Sequence, residues 1–226
     1  MAQNKFAMAS LGVIALMILF CFVFAWFCKD PNKVNLVNKF APFSGEHWFG
    51  TDALGRDLFA RILYGGQVSI LVGLIATAVS VAIGIVYGAV SGFAGGRIDA
   101  VMMRVVDTLL AIPFLVLVIV LQATLSTFSG DATNWIVESW GWDKEFTGRL
   151  TNVVPLFFAL GLLGWLTLSR IVRAQVLSIK EREFVEAAVA LGYSKARILF
   201  RHVVPNVLGP TIVYSTLTVP GFIMYE

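Results

Sequence analysis

Few residues in this chain could carry out covalent chemistry, and their spacing argues against it. There are two histidines, two cysteines and 14 acidic residues in 226. His47 and His202 lie far apart in the sequence, and the topology below puts them on opposite sides of a membrane. Neither a zinc site, which needs three or four convergent ligands, nor a serine–histidine hydrolase fits that separation. An intramembrane enzyme would have to depend on one of these two residues. Cys21 and Cys28 are seven residues apart in an apolar stretch, where packing is expected and not reaction, and two cysteines make no disulfide framework. No G-x-x-x-x-G-K-[ST] run exists, so the chain has no P-loop for a nucleotide. Asp52, Arg56 and Asp57 could be read as a charged active site, but such a cluster more ordinarily caps and pairs at a helix start. No carboxylate sits at mid-span in an apolar run, which argues against a proton relay. The expectation is a chain with no catalytic residue, no metal and no cofactor of its own.

The elements that must position these residues are set by composition. The chain is 58% hydrophobic and 14% charged, with a mean hydropathy of +0.82, against roughly 25% charged in soluble domains. So few charges cannot cover a water-soluble surface, and so much apolar content excludes disorder. Five stretches lack Asp, Glu, Lys and Arg: 6–28, 62–96, 108–130, 150–169 and one from 203 onward. Each is long enough to cross a hydrocarbon core, which takes about 20 residues. They predict an all-α, polytopic membrane protein: a single transmembrane domain over 1–226 with spans at about 6–28, 68–92, 100–125, 151–170 and 204–225. The first run exceeds a secretory h-region and ends on bulky residues, so an uncleaved anchor is expected. The fifth is still apolar at its end, which suggests that a C-terminal part follows.

Orientation comes from the basic residues. Seven of the 17 lie in or directly flank one connection: Arg170, Arg173, Lys180, Arg182, Lys195, Arg197 and Arg201. The positive-inside rule places that connection, 171–203, in the cytoplasm, together with the N-terminus and the turn around Arg97 and Arg104. Residues 29–66 and 126–149 are then outer segments, and Trp135, Trp140 and Trp142 suit an outer interface. The basic charge is thus a topogenic signal, and nucleic acid is not an expected partner.

Two patterns describe packing. Ala76, Ser80, Gly84, Gly88 and Gly92 recur every four residues and form one small-residue stripe on a helix. That stripe serves either close packing in a bundle or a surface on which helices slide. Pro113 predicts a kink or a helix start. Just before it, Arg104 and Asp107 can pair at the inner boundary, either to ease insertion or as a hinge or partner contact.

The cytoplasmic connection predicts two short helices. The first, 181–191, ends at Gly192, a natural C′ residue. Ser194 caps a second that runs to Arg201, and Pro205 marks the start of the fifth span. Phe184, Ala187, Ala188 and Leu191 share one face of the first helix, which is about 16 Å long. Such a helix is either a handle for a partner or an amphipathic helix lying on lipid.

Glu186-Ala187-Ala188, Gly192, His202, Pro205 and Asn206 resemble the EAA loop of ABC-importer permeases. Phe49-Gly50-Thr51-Asp52-Ala53-Leu54-Gly55-Arg56-Asp57, with Arg61 and Tyr64-Gly65-Gly66, is similar to a segment of the dipeptide/oligopeptide (peptide/nickel) permease subfamily. So are Ser91-Gly92-Phe93-Ala94-Gly95-Gly96, Asp99, Met103-Arg104, Asp107 and Leu110-Ala111-Ile112-Pro113. The resemblance covers about 46–125 and 150–226. It implies a type I ABC importer transmembrane domain whose sixth span lies beyond this sequence. Phe184, Glu186, Ala187, Ala188 and Gly192 would form the coupling helix and its turn. Two cytoplasmic ATPase subunits would hold ATP and Mg, beside a second, homologous permease subunit in a heterodimer and an extracytoplasmic substrate-binding protein. Di- and oligopeptides are the implied substrates, and relatives carry nickel chelates or glutathione. The setting is the cytoplasmic membrane of a prokaryote. The segment 126–149 looks longer than the subfamily's and is expected to be a docking loop. The alternative is a channel or scaffold subunit whose basic loop binds anionic lipid.

Overall fold

The computed structural model describes residues 5–141 and 144–225. Eight α-helices account for most of them: α1 (Lys5–Val23), α2 (Leu58–Ala94), α3 (Gly96–Leu110), α4 (Phe114–Trp140), α5 (Lys144–Lys180), α6 (Glu183–Ala190), α7 (Lys195–Ile198) and α8 (Val204–Tyr225). Short 3₁₀ turns follow α1 at Phe24–Phe27 and lie at Leu36–Asn38, and a π-turn, Leu199–Val203, joins α7 to α8. Among the described residues the only β pairing is one bridge, Thr51 with Asp57. The chain divides into two compact units, Met1–Leu71 and Val72–Glu226, with the boundary inside α2.

Among the described residues five helices are long and apolar enough to cross a membrane: Lys5–Phe27, Leu58–Ala94, Phe114–Trp140, Val154–Lys180 and Lys195–Tyr225. The third is displaced from 100–125. Pro113 lacks an N–H and pushes the residue before it out of the helical region, so α3 stops at Leu110 and Pro113 becomes the N-cap of α4. The segment 126–149 is not a long loop. α4 continues to Trp140, Gly141 ends it at φ +67°, and α5 starts at Lys144. Trp135 and Trp140 lie exposed on α4, whereas Trp142 falls outside the described residues.

The connection 171–203 is also more helical than expected. α5 is 37 residues long, about 55 Å at 1.5 Å per residue, against a hydrocarbon core of about 30 Å. It is therefore longer than one crossing needs, and its apolar span, Val154–Lys180, leaves the first turns outside the candidate crossing. Pro205 starts no new helix: α7, the π-turn and α8 run on as one helix. The Val204 N–H reaches the Leu199 carbonyl across the widened turn, which accommodates a proline that can neither donate nor pack in a normal ladder.

Within the second unit one core joins the elements around α5. Ala89 of α2, Leu168, Val172, Val176 and Ile179 of α5, Val185 and Ala188 of α6, and Ile198, Leu199, Val203 and Val207 beyond it form a single buried cluster.

Candidate functional site

The connection after α5 builds a small, rigid projection. Arg182, in an extended conformation, is the N-cap of α6, and Glu183 and Glu186 occupy its first turn, where carboxylates favour the helix dipole. The helix has eight residues, about 12 Å, and is shorter than 181–191. It ends in a two-bond Schellman turn. The Gly192 N–H donates to the Val189 carbonyl at 2.9 Å, and the Tyr193 N–H donates to the Ala188 carbonyl at 3.2 Å. Gly192 takes φ +76° there, a value that suits only residues tolerant of the left-handed region. Ser194 then caps α7 by accepting from the Arg197 N–H.

The apolar face read from the sequence, Phe184, Ala187, Ala188 and Leu191, is not the face that α6 buries. Val185 and Ala188 are each 3% exposed and face the core formed with Ile179, Ile198 and Leu199. Phe184, Glu186, Ala187 and Leu191 are exposed. Ala188, expected as a surface contact, is therefore an anchor. Both stripes are apolar, and the one facing α5 and α7 is the one that is buried. Val189, Ala190 and Glu186 border an open groove of about 710 Å³, shared with Phe93, Lys180 and Tyr193. The Tyr193 ring stacks on His202 at 6.0 Å and meets the Arg197 guanidinium at 5.4 Å, which ties the turn to the next helix. His202 Nε2 is buried without a hydrogen-bond partner among the described residues.

Behind this projection lies a seam between α2 and α5. Ser80 Oγ donates to the Gly161 carbonyl at 3.0 Å. A Cβ at Gly84 would come within 2.9 Å of the Leu168 side chain, and one at Gly92 within 3.0 Å of the Arg173 carbonyl. At Gly88 it would run into the Ser169 carbonyl oxygen. Ala76, Ser80, Gly84, Gly88 and Gly92 thus all lie along α5 and let the two backbones approach.

α3 is held to α5 by charge. Arg173 Nε and Nη2 donate to Asp99 Oδ1 and Oδ2, both at 2.5 Å, and Ser91 Oγ donates to Asp99 Oδ1 at 2.5 Å. The Arg173 hydrogen bonds, opposed by burial and aided by Ser91, hold the Asp99 carboxyl below the usual carboxylate range. Asp107 pairs with Arg170 and not with Arg104, because a partner on the facing helix lies closer than the neighbour three residues back. Lys180 Nζ donates to the Phe93 carbonyl at 3.0 Å. Ser91, Arg173, Val185 and Lys180 were not expected as site residues. Sequence alone offers no signal for a partner 74 positions away, as Arg173 is from Asp99.

In the first unit, the motif around Asp52 closes on itself. Gly50 and Gly55 take φ +74° and +71°, and a Cβ on Gly55 would overlap the Asn35 carbonyl. Thr51 Oγ1 donates to the Asn38 carbonyl and accepts from the Ala41 N–H. Asp52 accepts from the Leu54 and Arg56 N–H groups and from the guanidinium groups of Arg56 and Arg61. Desolvation would raise the Asp52 carboxyl, but those backbone and guanidinium donors outweigh it and hold the group well below the carboxylate range. Asp57 caps α2 through the Ala60 N–H at 2.8 Å and accepts from His47 Nδ1 at 2.8 Å. His47 was not expected there. These polar groups bond one another, as a scaffold requires.

The chain matches the family described as "binding-protein-dependent transport system inner membrane component" over residues 81–225. It also matches the "N-terminal TM domain of oligopeptide transport permease C" over residues 1–42. It is 40% identical to the oligopeptide transport system permease protein OppC of Haemophilus influenzae, over 99% of this chain and 65% of that protein. Identity to OppC of Bacillus subtilis is 40%, over 99% of this chain and 66% of the relative. To the dipeptide transport system permease protein DppC of B. subtilis it is 37%, over 99% and 63%. The chain thus spans a little under two thirds of the length of these relatives.

Proposed function

Since the chain belongs to the family of inner-membrane components of binding-protein-dependent transport systems, we propose that it is a membrane-spanning subunit of an ATP-driven importer of di- or oligopeptides. Its own residues bind and move; hydrolysis of ATP, with its Mg, takes place on two partner ATPases. A second, homologous permease subunit completes the path as a heterodimer, and a binding protein delivers the substrate from outside. The N-terminus and α6 face the cytoplasm, and the α4–α5 turn, at the other end of α5, faces outward with Trp135 and Trp140.

The observation that carries this reading is α6 itself. It is a short helix closed by a Schellman turn and anchored by Val185 and Ala188, and it presents Phe184, Glu186 and Ala187 directly after the long α5. Docking of this helix on an ATPase lets closure of two such ATPases pull the spans from one arrangement to another. The channel or scaffold alternative rests on the basic connection binding lipid, and three of its seven basic residues, Arg170, Arg173 and Lys180, are engaged by protein groups instead.

Single cysteines in the full-length carrier, co-expressed with its ATPases, test the reading. Ala187→Cys crosslinks to an ATPase subunit in cells, and Ala188→Cys crosslinks far less because position 188 is buried. No crosslink at 184, 186 or 187 to any ATPase would overturn it.

A further inference from the structure

Three elements meet at one carboxylate. Asp99, in the first turn of α3, takes both of its oxygens to the Arg173 fork of α5 and one of them also to Ser91 at the end of α2. The site is tight, because Gly92 brings the α2 backbone against Arg173 and Val176 at about 3.0 Å from a would-be Cβ. Two more polar links run alongside: Asp107 with Arg170, and Tyr87 Oη donating to the Met102 carbonyl at 2.9 Å. Seven residues past Arg173, Lys180 reaches back to the Phe93 carbonyl just before α6 begins. At the far end of α3 the helical ladder breaks at Ala111–Pro113 before α4 starts.

A bidentate guanidinium–carboxylate pair fixes orientation as well as distance. It transmits displacement that apolar packing alone would let slip. We propose that Asp99 and Arg173 are positioning residues that lock α3 to the α5–α6 arm. Movement of α6 then reaches α3 as a rigid-body displacement and is absorbed at the 111–113 joint, which resets α4. This rests on the reading of α6 as the ATPase handle. An ion pair that served only insertion would alter the amount of protein and leave coupling untouched.

The test uses the full-length carrier, assembled with its partner subunits in proteoliposomes, with uptake and ATP hydrolysis measured together. Asp99→Asn keeps the side-chain shape and removes the charge. It lowers peptide taken up per ATP by about 5- to 150-fold, the range of coupling between linked sites, while the complex still hydrolyses ATP. The reversed pair, Asp99→Arg with Arg173→Asp, recovers part of the loss. Full coupling in Asp99→Asn, or a parallel fall of hydrolysis and uptake, overturns the proposal, and so does failure of the reversed pair to improve on either single change. Should Asp99→Asn not accumulate, Ser91→Ala decides: it leaves the ion pair intact, removes one donor and gives a smaller drop in uptake per ATP, and an unchanged ratio refutes the lock. The Ala187→Cys crosslink in the same preparation separates the two readings. Its absence sinks the handle, whereas its presence with a fully coupled Asp99→Asn sinks only the lock.

Discussion

Replacing Gly192 tests the turn after α6 without disturbing what anchors that helix. The residue sits at φ +76°, and a Cβ there would meet nothing within 4 Å. The cost of a side chain is therefore one of backbone conformation alone. It is about 1–2 kcal/mol for an ordinary L-residue, less for Asn, and more for a β-branched residue. Relief of that strain means loss of the two capping bonds, from the Gly192 and Tyr193 N–H groups to Val189 and Ala188. An eight-residue helix has no stability of its own to resist fraying, so a penalty of about 1–2 kcal/mol shifts the turn by a factor of about 5–30 toward the released form. Val185 and Ala188 are held by side-chain packing and not by the turn, so the expected outcome is unchanged insertion into the membrane. In the full-length carrier with its partners, uptake per ATP falls in the order Gly192, Gly192→Asn, Gly192→Ala, Gly192→Val, while the amount of subunit in the membrane stays constant. Equal coupling for Gly192→Val and the parent refutes the reasoning. A loss of subunit in step with the loss of uptake refutes it too, because the effect would then be on folding.

Two more outcomes follow from the close seam and from the Asp52 motif. Gly88→Ala lowers the thermal midpoint of the detergent-solubilised carrier more than Gly84→Ala does. The first puts a methyl against the Ser169 carbonyl oxygen at a distance no Cβ takes, and the second meets the Leu168 side chain at a longer one; overpacking of the first kind costs about 1–3 kcal/mol, and equal midpoints would refute it. The Asp52 carboxyl is held below its ordinary value, so the stability it adds is fully present above the unfolded pKa of about 3.9 and is lost only as pH falls through the lower folded value. Protease resistance of the 35–61 segment accordingly persists from pH 7 to pH 4.5 in the parent, whereas Asp52→Asn is cleaved across that whole range; a parent that opens near pH 5 would contradict this.

The number of spans was legible because a charge-free run of about 20 residues has little other use. Where the helices end was less legible. Arg170 and Arg173 end the apolar run but not the hydrogen-bond ladder, so α5 carries on to Lys180. In 126–140 the polar residues suggested a loop, yet Ser126, Thr127, Ser129 and Thr133 return their hydroxyls to carbonyls three or four residues back and the helix continues. Gly192 and Ser194 were readable as caps because each does a local job. The inward face of α6 was not, since the stripes containing Phe184 and Val185 are both apolar and only the position of α7 selects between them. Asp107 was assigned its nearest neighbour in sequence, and the helix it faces supplied Arg170 instead.

Burial ranks the spans in a way that hydropathy does not. The apolar window of the α1 span is the most hydropathic, at 2.6, and none of it is buried; that of α5 is 1.6, with 50% buried. In a membrane an exposed apolar helix is already solvated by lipid and gains little from packing. Burial therefore marks where protein must touch protein, and in the second unit that place is α5. Its middle faces the α2 glycines, Arg170 and Arg173 hold α3, and its end carries α6. A substitution in the buried stripe of α5, or at Val185 and Ala188, disturbs how this unit is built. One at Phe184, Glu186 or Ala187 leaves the building intact and changes only what the helix can hold. The separation of those two sets on a single eight-residue helix is what makes a partner contact testable apart from folding.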